Sequence, residues 1–134
     1  MMRSWLAALG AMAWSANAMA LEPVDLVGTW NVTLAANYSS CSNTNVGEIN
    51  AQQWIVSWSG EEFSVTAVGS GAGDVAYRGV LVDGKSAVRF YIKEDSKRLV
   101  TVDLTGDATA LTGRRVSAWA TPCATIWDVT AKKQ

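Results

Sequence analysis

The chain contains no histidine. That absence excludes Ser-His-Asp and Cys-His catalysis, the usual imidazole base, and zinc sites built with His. There is no surplus of positive charge either: 11 basic residues stand against 12 acidic ones, a net charge of −1. Such a balance leaves no electrostatic footprint for nucleic acid or an anionic membrane surface. Carboxylates and thiolates are not clustered at metal-ligand spacing, so neither a metal nor another cofactor is expected. Glu61-Glu62 is a carboxylate pair, but adjacent strand positions point to opposite faces. Asp103 alternates against an apolar strand face and reads as exposed. The glycine-rich run from Gly69 to Gly73 superficially resembles a phosphate loop, but no helix follows to aim its amides. With no nucleophile beside a visible base, no catalytic residue is assigned and the chain is not expected to be an enzyme.

The first residues read as a signal peptide. Arg3 supplies a positive start, Trp5 to Ala16 is an apolar, alanine-rich run, and Ala18-Met19-Ala20 is a cleavage site of the A-x-A type. Ala16-Asn17-Ala18 is a rival site. An uncleaved anchor is the alternative, but the run is shorter than the roughly 20 residues a span needs. The expected organisation is a leader over 1–20 and one domain over 21–134, secreted or periplasmic, with no integral membrane segment after cleavage. Losing Arg3 takes the net charge from −1 to −2. In an oxidising compartment, Cys41 and Cys123 read as one disulfide.

What the mature chain has in abundance is alternation with a period of two. Strands are expected over 26–35, 51–59, 62–68, 75–82, 86–93, 98–104, 108–119 and 124–132. Trp30, Val32 and Leu34 share a face of the first, and Trp54, Val56 and Trp58 a face of the second. Phe63, Val65 and Ala67, then Val88, Phe90 and Ile92, then Val100, Val102 and Leu104 repeat the pattern. Turn residues separate the strands, and Asp83-Gly84 is the strongest hairpin signal. Eight strands in a meander would leave two open edges and a bare apolar face if flat. Closure removes both problems, so the expected fold is all-β: an eight-stranded antiparallel up-and-down barrel. In such a barrel the last strand pairs with the first. Cys41 then lies beside Cys123, within the roughly 7 Å between Cα atoms that a bridge needs. A Greek-key sandwich also brings the two together. The connections sort by end. Residues 36–50, 69–74, 94–97 and 120–123 form a loose, polar mouth, and 59–61, 83–85 and 105–107 a tight end.

Gly28-Thr29-Trp30 at the start of the first strand resembles the signature of the calycins, the superfamily of lipocalins, avidins and fatty-acid-binding proteins. The resemblance implies a small barrel whose closed end is plugged by Trp30, and a small apolar or amphipathic ligand. Lipocalins also often stack an Arg on that Trp, and no residue is singled out for it here. Glycine weakens a strand interior, so Gly28 is read as granting the close backbone approach that Trp30 requires. Three features depart from the family. No helix pattern follows the eighth strand, the Thr-Asp-Tyr type motif of lipocalins is absent, and Val32 stands where avidins carry an Asn used for biotin.

Trp54 and Trp58 lie i, i+4 on one strand face and point the same way. With Phe90 and an inward Tyr77 they are the candidate ligand-binding residues, in keeping with aromatic-lined pockets; plain core packing is the alternative. Arg89 and Tyr91 read as facing solvent. Arg114-Arg115 offers a fork for an anion, or else lies on a solvated edge. The expected function is therefore binding of a small hydrophobic or amphipathic ligand in the barrel mouth. The alternative is a protein-interaction module, an inhibitor or envelope-associated protein, with a solidly packed barrel and a partner surface over residues 36–50.

Overall fold

Each strand of an alternating meander has one apolar face, and eight such faces cover one another when the sheet curls shut. A computed structural model describes residues 20–70, 76–92 and 97–134. Its strands are β1 (Gly28–Ser39), β2 (Ile49–Trp58), β3 (Phe63–Gly69), β4 (Ala76–Leu81), β5 (Ala87–Tyr91), β6 (Arg98–Gly106), β7 (Ala110–Trp119) and β8 (Cys123–Lys133). Each pairs antiparallel with the next, and β8 returns to pair with β1, so the barrel is closed. The expected leader over 1–20, the loop over 69–74 and the turn over 94–97 lie outside the described residues except at their ends.

The first strand runs past its expected end at 35, because β8 supplies partners for Ala36, Tyr38 and Ser39. A bulge between Ala36 and Tyr38 changes the parity of β1. Before it, Trp30, Val32, Leu34 and Ala36 are buried. After it, Tyr38 faces out and Ser39 turns towards Thr125, the two hydroxyls 3.3 Å apart. The Ser39 hydroxyl also accepts from the Cys41 amide at 3.2 Å. Ser40 ties the same corner to β8: its amide donates to the Ala124 carbonyl and its hydroxyl accepts the Ala124 amide. Cys41 and Cys123 are thereby held 5.1 Å apart at Cα and form a disulfide.

A short helix, α1 (Pro23–Leu26), precedes β1 where the sequence pattern reads the start of a strand. Four residues are too few to show a helical period. Its local signals are Pro23 in the first turn and Asp25, whose Oδ2 accepts the Glu22 amide at 2.8 Å. The helix is a lid on the tight end. Leu21 and Leu26 are buried there, and the Trp30 Nε1 donates to the Leu26 carbonyl at 2.9 Å. A lysine, not an arginine, lies over Trp30: the Lys133 Nζ is 5.8 Å from the ring centroid and donates to the Asp25 carbonyl at 3.0 Å. Gly28 sits at φ +135°, a conformation L side chains rarely adopt, and a Cβ there would lie 3.1 Å from Lys133 Cε. The crowding that Gly28 avoids is thus with the lysine stem.

Candidate functional site: the mouth half of the barrel

Interior side chains divide the barrel into two halves of different chemistry. Towards the tight end the lining is apolar throughout. Leu26, Trp30, Val32, Trp54, Val56, Phe90, Leu104, Leu111 and Ala131 surround a cavity of only about 10 Å³. That is room for about one water at most, and no polar partner lines it to hold one. An aromatic chain fills the middle. Trp54 lies 4.9 Å from Tyr77 and 5.9 Å from Phe90 between ring centroids, and Phe63 lies 6.2 Å from Phe90. Edge and tilted contacts at such distances are the favoured aromatic geometries. Of the four residues the sequence singles out for a ligand, Trp54, Tyr77 and Phe90 meet in this group. Trp58 is half-buried nearer the tight end, 4.7 Å from Phe63.

Towards the mouth polar groups join apolar ones such as Ala36, Ala67 and Val100 in the lining. Gln52, Ser117 and Thr125 are buried, and Arg115 and Trp127 face one another in the pairing of β7 and β8. Leu111, Gly113, Arg115 and Ser117 lie on one face of β7, and across the strand pair Arg115 also sits opposite Val102, which is fully buried. The Arg115 Nε donates to the Tyr77 hydroxyl at 3.0 Å. β4 and β7 are separated in the sheet by β5 and β6, so this bond crosses the lumen. The Trp54 Nε1 donates to Gln52 Oε1 at 2.8 Å, and Gln52 Nε2 donates to the Ser70 carbonyl at 3.0 Å. The Trp127 Nε1, in a residue only 5% exposed, has no hydrogen-bond partner.

Arg115 differs from the arginines outside the lumen. Arg78 pairs with Glu62 at 3.0 Å, Arg89 with Asp103 at 2.7 Å, and Arg114 approaches Asp128 at 3.9 Å. Among the described residues, Arg115 has no carboxylate partner, and Tyr77 takes only its Nε. At the rim, Arg98 lies 4.9 Å over Trp119, and Trp119, Cys41, Ser42, Asn43, Thr121 and Cys123 line a hollow of about 240 Å³.

The sequence pattern leaves Arg114-Arg115 between an anion fork and a solvated edge, and the structure splits the pair. Arg114 is outside and Arg115 inside. Gln52 and Trp127 were not singled out at all. A signal for Arg115 exists in the pairing across the 105–107 turn. Counting back from Gly106 opposite Leu111 sets Leu104 against Gly113 and Val102 against Arg115, on the apolar face of β6.

Among the described residues, the paired charges lie outside the lumen. The Asp103 carboxylate, by its hydrogen bonds and then its charge, raises the Arg89 guanidinium pKa further above its usual value. Both side chains are 56% exposed, so the pair is screened by solvent. Glu62 accepts from Arg78 and, at 3.4 Å, from the Tyr91 hydroxyl. Among the described residues, no group of three or more His, Cys, Asp and Glu is placed to hold a metal, and no helix is long and apolar enough to cross a membrane. The chain matches no known family, no curated protein and no solved structure.

Proposed function

We propose that this chain is an exported, calycin-like barrel that takes up a small hydrophobic or amphipathic molecule at its mouth. The observation that carries the reading is the Trp127 Nε1, a buried donor without an acceptor. Leaving such a group unpaired costs about 1–3 kcal/mol, and native proteins rarely leave one so without a use. A ligand acceptor entering from the mouth relieves that cost. Trp54 and Tyr77 beneath it offer an aromatic floor. The disulfide pins one side of the rim, which preorganises the opening and reduces the entropy lost on binding.

The test is native mass spectrometry of the protein isolated from its own host. The expected spectrum is the mass of residues 21–134 with one disulfide, plus a reproducible small-molecule adduct lost on denaturation. A bare polypeptide mass in every preparation, with no change in tryptophan emission after extraction with organic solvent, sinks the reading.

A second reading, contact with a protein partner, is favoured by the segment 36–50. Tyr38, Val46 and Ile49 are 50%, 64% and 66% exposed there. Tyr38 ends β1, Ile49 opens β2 and Val46 lies between them, and exposed apolar groups of this kind are a common part of contact surfaces. The filled tight half of the barrel fits this reading equally well.

A further inference from the structure

We infer that the outer wall formed by β1, β2 and β3 is where two copies of this chain meet, face to face about a two-fold axis. The pairing is independent of what the lumen holds, and both mouths stay open. Charge is distributed unevenly around the barrel. β1, β2 and β3 contain no Asp, Glu, Lys or Arg, whereas every other strand carries at least one. On the rest of the wall charges pair across strands, Arg89 on β5 with Asp103 on β6 and Arg114 on β7 with Asp128 on β8. Interspersed charges of both signs keep an outer sheet face in water. Here they stop at the two borders of the uncharged face. Asp128 and Lys132 on β8 stand opposite Ala35 and Asn31, and Arg78 on β4 stands opposite Ser64. In place of charge, the face presents Ile49, Ile55 and Val68, each 49% exposed or more. Ala51 lies between the two isoleucines along β2 and, with Asn31, Thr33, Gln53 and Val68, lines a hollow of about 480 Å³ on the outside of the barrel.

The chemistry of the face selects a second copy as its occupant. A partner with a charged surface finds no opposite charge among these strands. The same face on another copy sets methyl groups against methyl groups and brings no like charges together. The Gln53 side-chain amide both donates and accepts, so it can pair with itself across a two-fold axis. Gln53 is also central, with Asn31 beside it on β1 and Val68 on β3. Closure leaves no strand edge to extend, so the contact is sheet packed on sheet. Size sets the strength. β2 runs about 27 Å from Ile49 to Ser57 and three strands span about 14 Å, so each copy offers roughly 400 Å² in projection. An interface of that extent belongs with the small, transient ones below roughly 1,200 Å² in total. The expected dissociation constant is about 10–100 μM.

The experiment is analytical ultracentrifugation of the oxidised mature protein from about 1 μM to about 1 mM, a range that brackets that constant. The average mass is expected to rise with concentration from one chain towards two. Gln53→Lys and Gln53→Glu each place like charges across the axis, and each is expected to weaken association at least about tenfold. Their equimolar mixture sets opposite charges across the axis and is expected to associate more strongly than either variant alone. Leu99→Lys changes an apolar side chain that is 66% exposed on the outer face of β6, and is expected to leave the mass curve unchanged. Near-UV circular dichroism checks that each variant keeps the native packing, and the wild-type curve decides even if a variant does not fold. A single-chain mass at every concentration overturns the inference. So does growth past two chains, because a closed two-fold pair stops there. Association that survives both Gln53 variants, or is lost in Leu99→Lys, overturns the placement on β1–β3. A mixture no stronger than its separate components overturns the meeting of like faces.

Discussion

Removing the disulfide tests how the closed barrel is stabilised. The perturbation is the double variant Cys41→Ser, Cys123→Ser. The bridge links residues 82 apart in sequence, nearly the whole of the meander. A cross-link of that span restricts the unfolded chain, and in the chain-entropy treatment its removal costs about 4.5 kcal/mol at 25 °C. Residual structure in the unfolded chain trims such values, and measured losses cluster at about 2–4 kcal/mol. With a urea slope of about 1.5 kcal/mol per molar, the unfolding midpoint falls by roughly 1.3–2.7 M. The native fold is expected to survive. β1 and β8 remain paired from Trp30 opposite Lys133 to Ser39 opposite Thr125, so closure has its own hydrogen bonds. The assay is urea unfolding followed by far-UV and near-UV circular dichroism, with both signals native before denaturant is added. A midpoint shift below about 0.5 M with a native spectrum refutes the unfolded-state account. Loss of the near-UV signal without denaturant refutes the claim that strand pairing holds the closure.

Two further predictions concern the packed half and the tight end. A Cβ at Gly79 would overlap the Phe90 ring, so Gly79→Ala is expected to cost about 1–3 kcal/mol and to alter the near-UV spectrum of the aromatic group; a neutral effect in urea unfolding refutes the packing described. Asp107 accepts from the Thr109 hydroxyl, the Thr109 amide and the Ala110 amide, in that order of effect, and its carboxyl is held below the usual range. A depressed folded pKa contributes stability above the unfolded value of about 3.9 and loses it as the pH falls through the folded value. Asp107→Ala is therefore expected to melt lower than wild type at neutral pH, with the gap narrowing below about pH 4; a constant gap refutes a role for the ionised form.

The barrel was legible because its evidence is repeated. Each of Trp30-Val32-Leu34, Trp54-Val56, Phe63-Val65-Ala67 and Val100-Val102-Leu104 states the same inward face, and the structure buries them all. The cysteine positions agreed with closure of the last strand on the first, though a Greek-key sandwich satisfies them too. The site was less legible because β7 carries no consistent face. Val116 and Ala118 argue for one side, Leu111 and Trp119 for the other, so alternation alone cannot tell which of Arg114 and Arg115 is inside. Register decides it, and register comes from the neighbouring strand. The short helix α1 was invisible for another reason. It is a single four-residue turn that caps Trp30 through one i, i+4 bond, too short to repeat an apolar period.

The pairing of the last strand with the first also has a consequence in time. A chain is made from its N-terminus, and β8 holds residues 123–133. Until they are available, β1 and β7 are both open edges with unpaired backbone groups, templates for wrong partners as much as right ones. The closing contact spans almost the full length of the domain, and contacts so distant in sequence form slowly. Completion therefore waits on the final strand, and a chain truncated before it has no smaller closed barrel to fall back on.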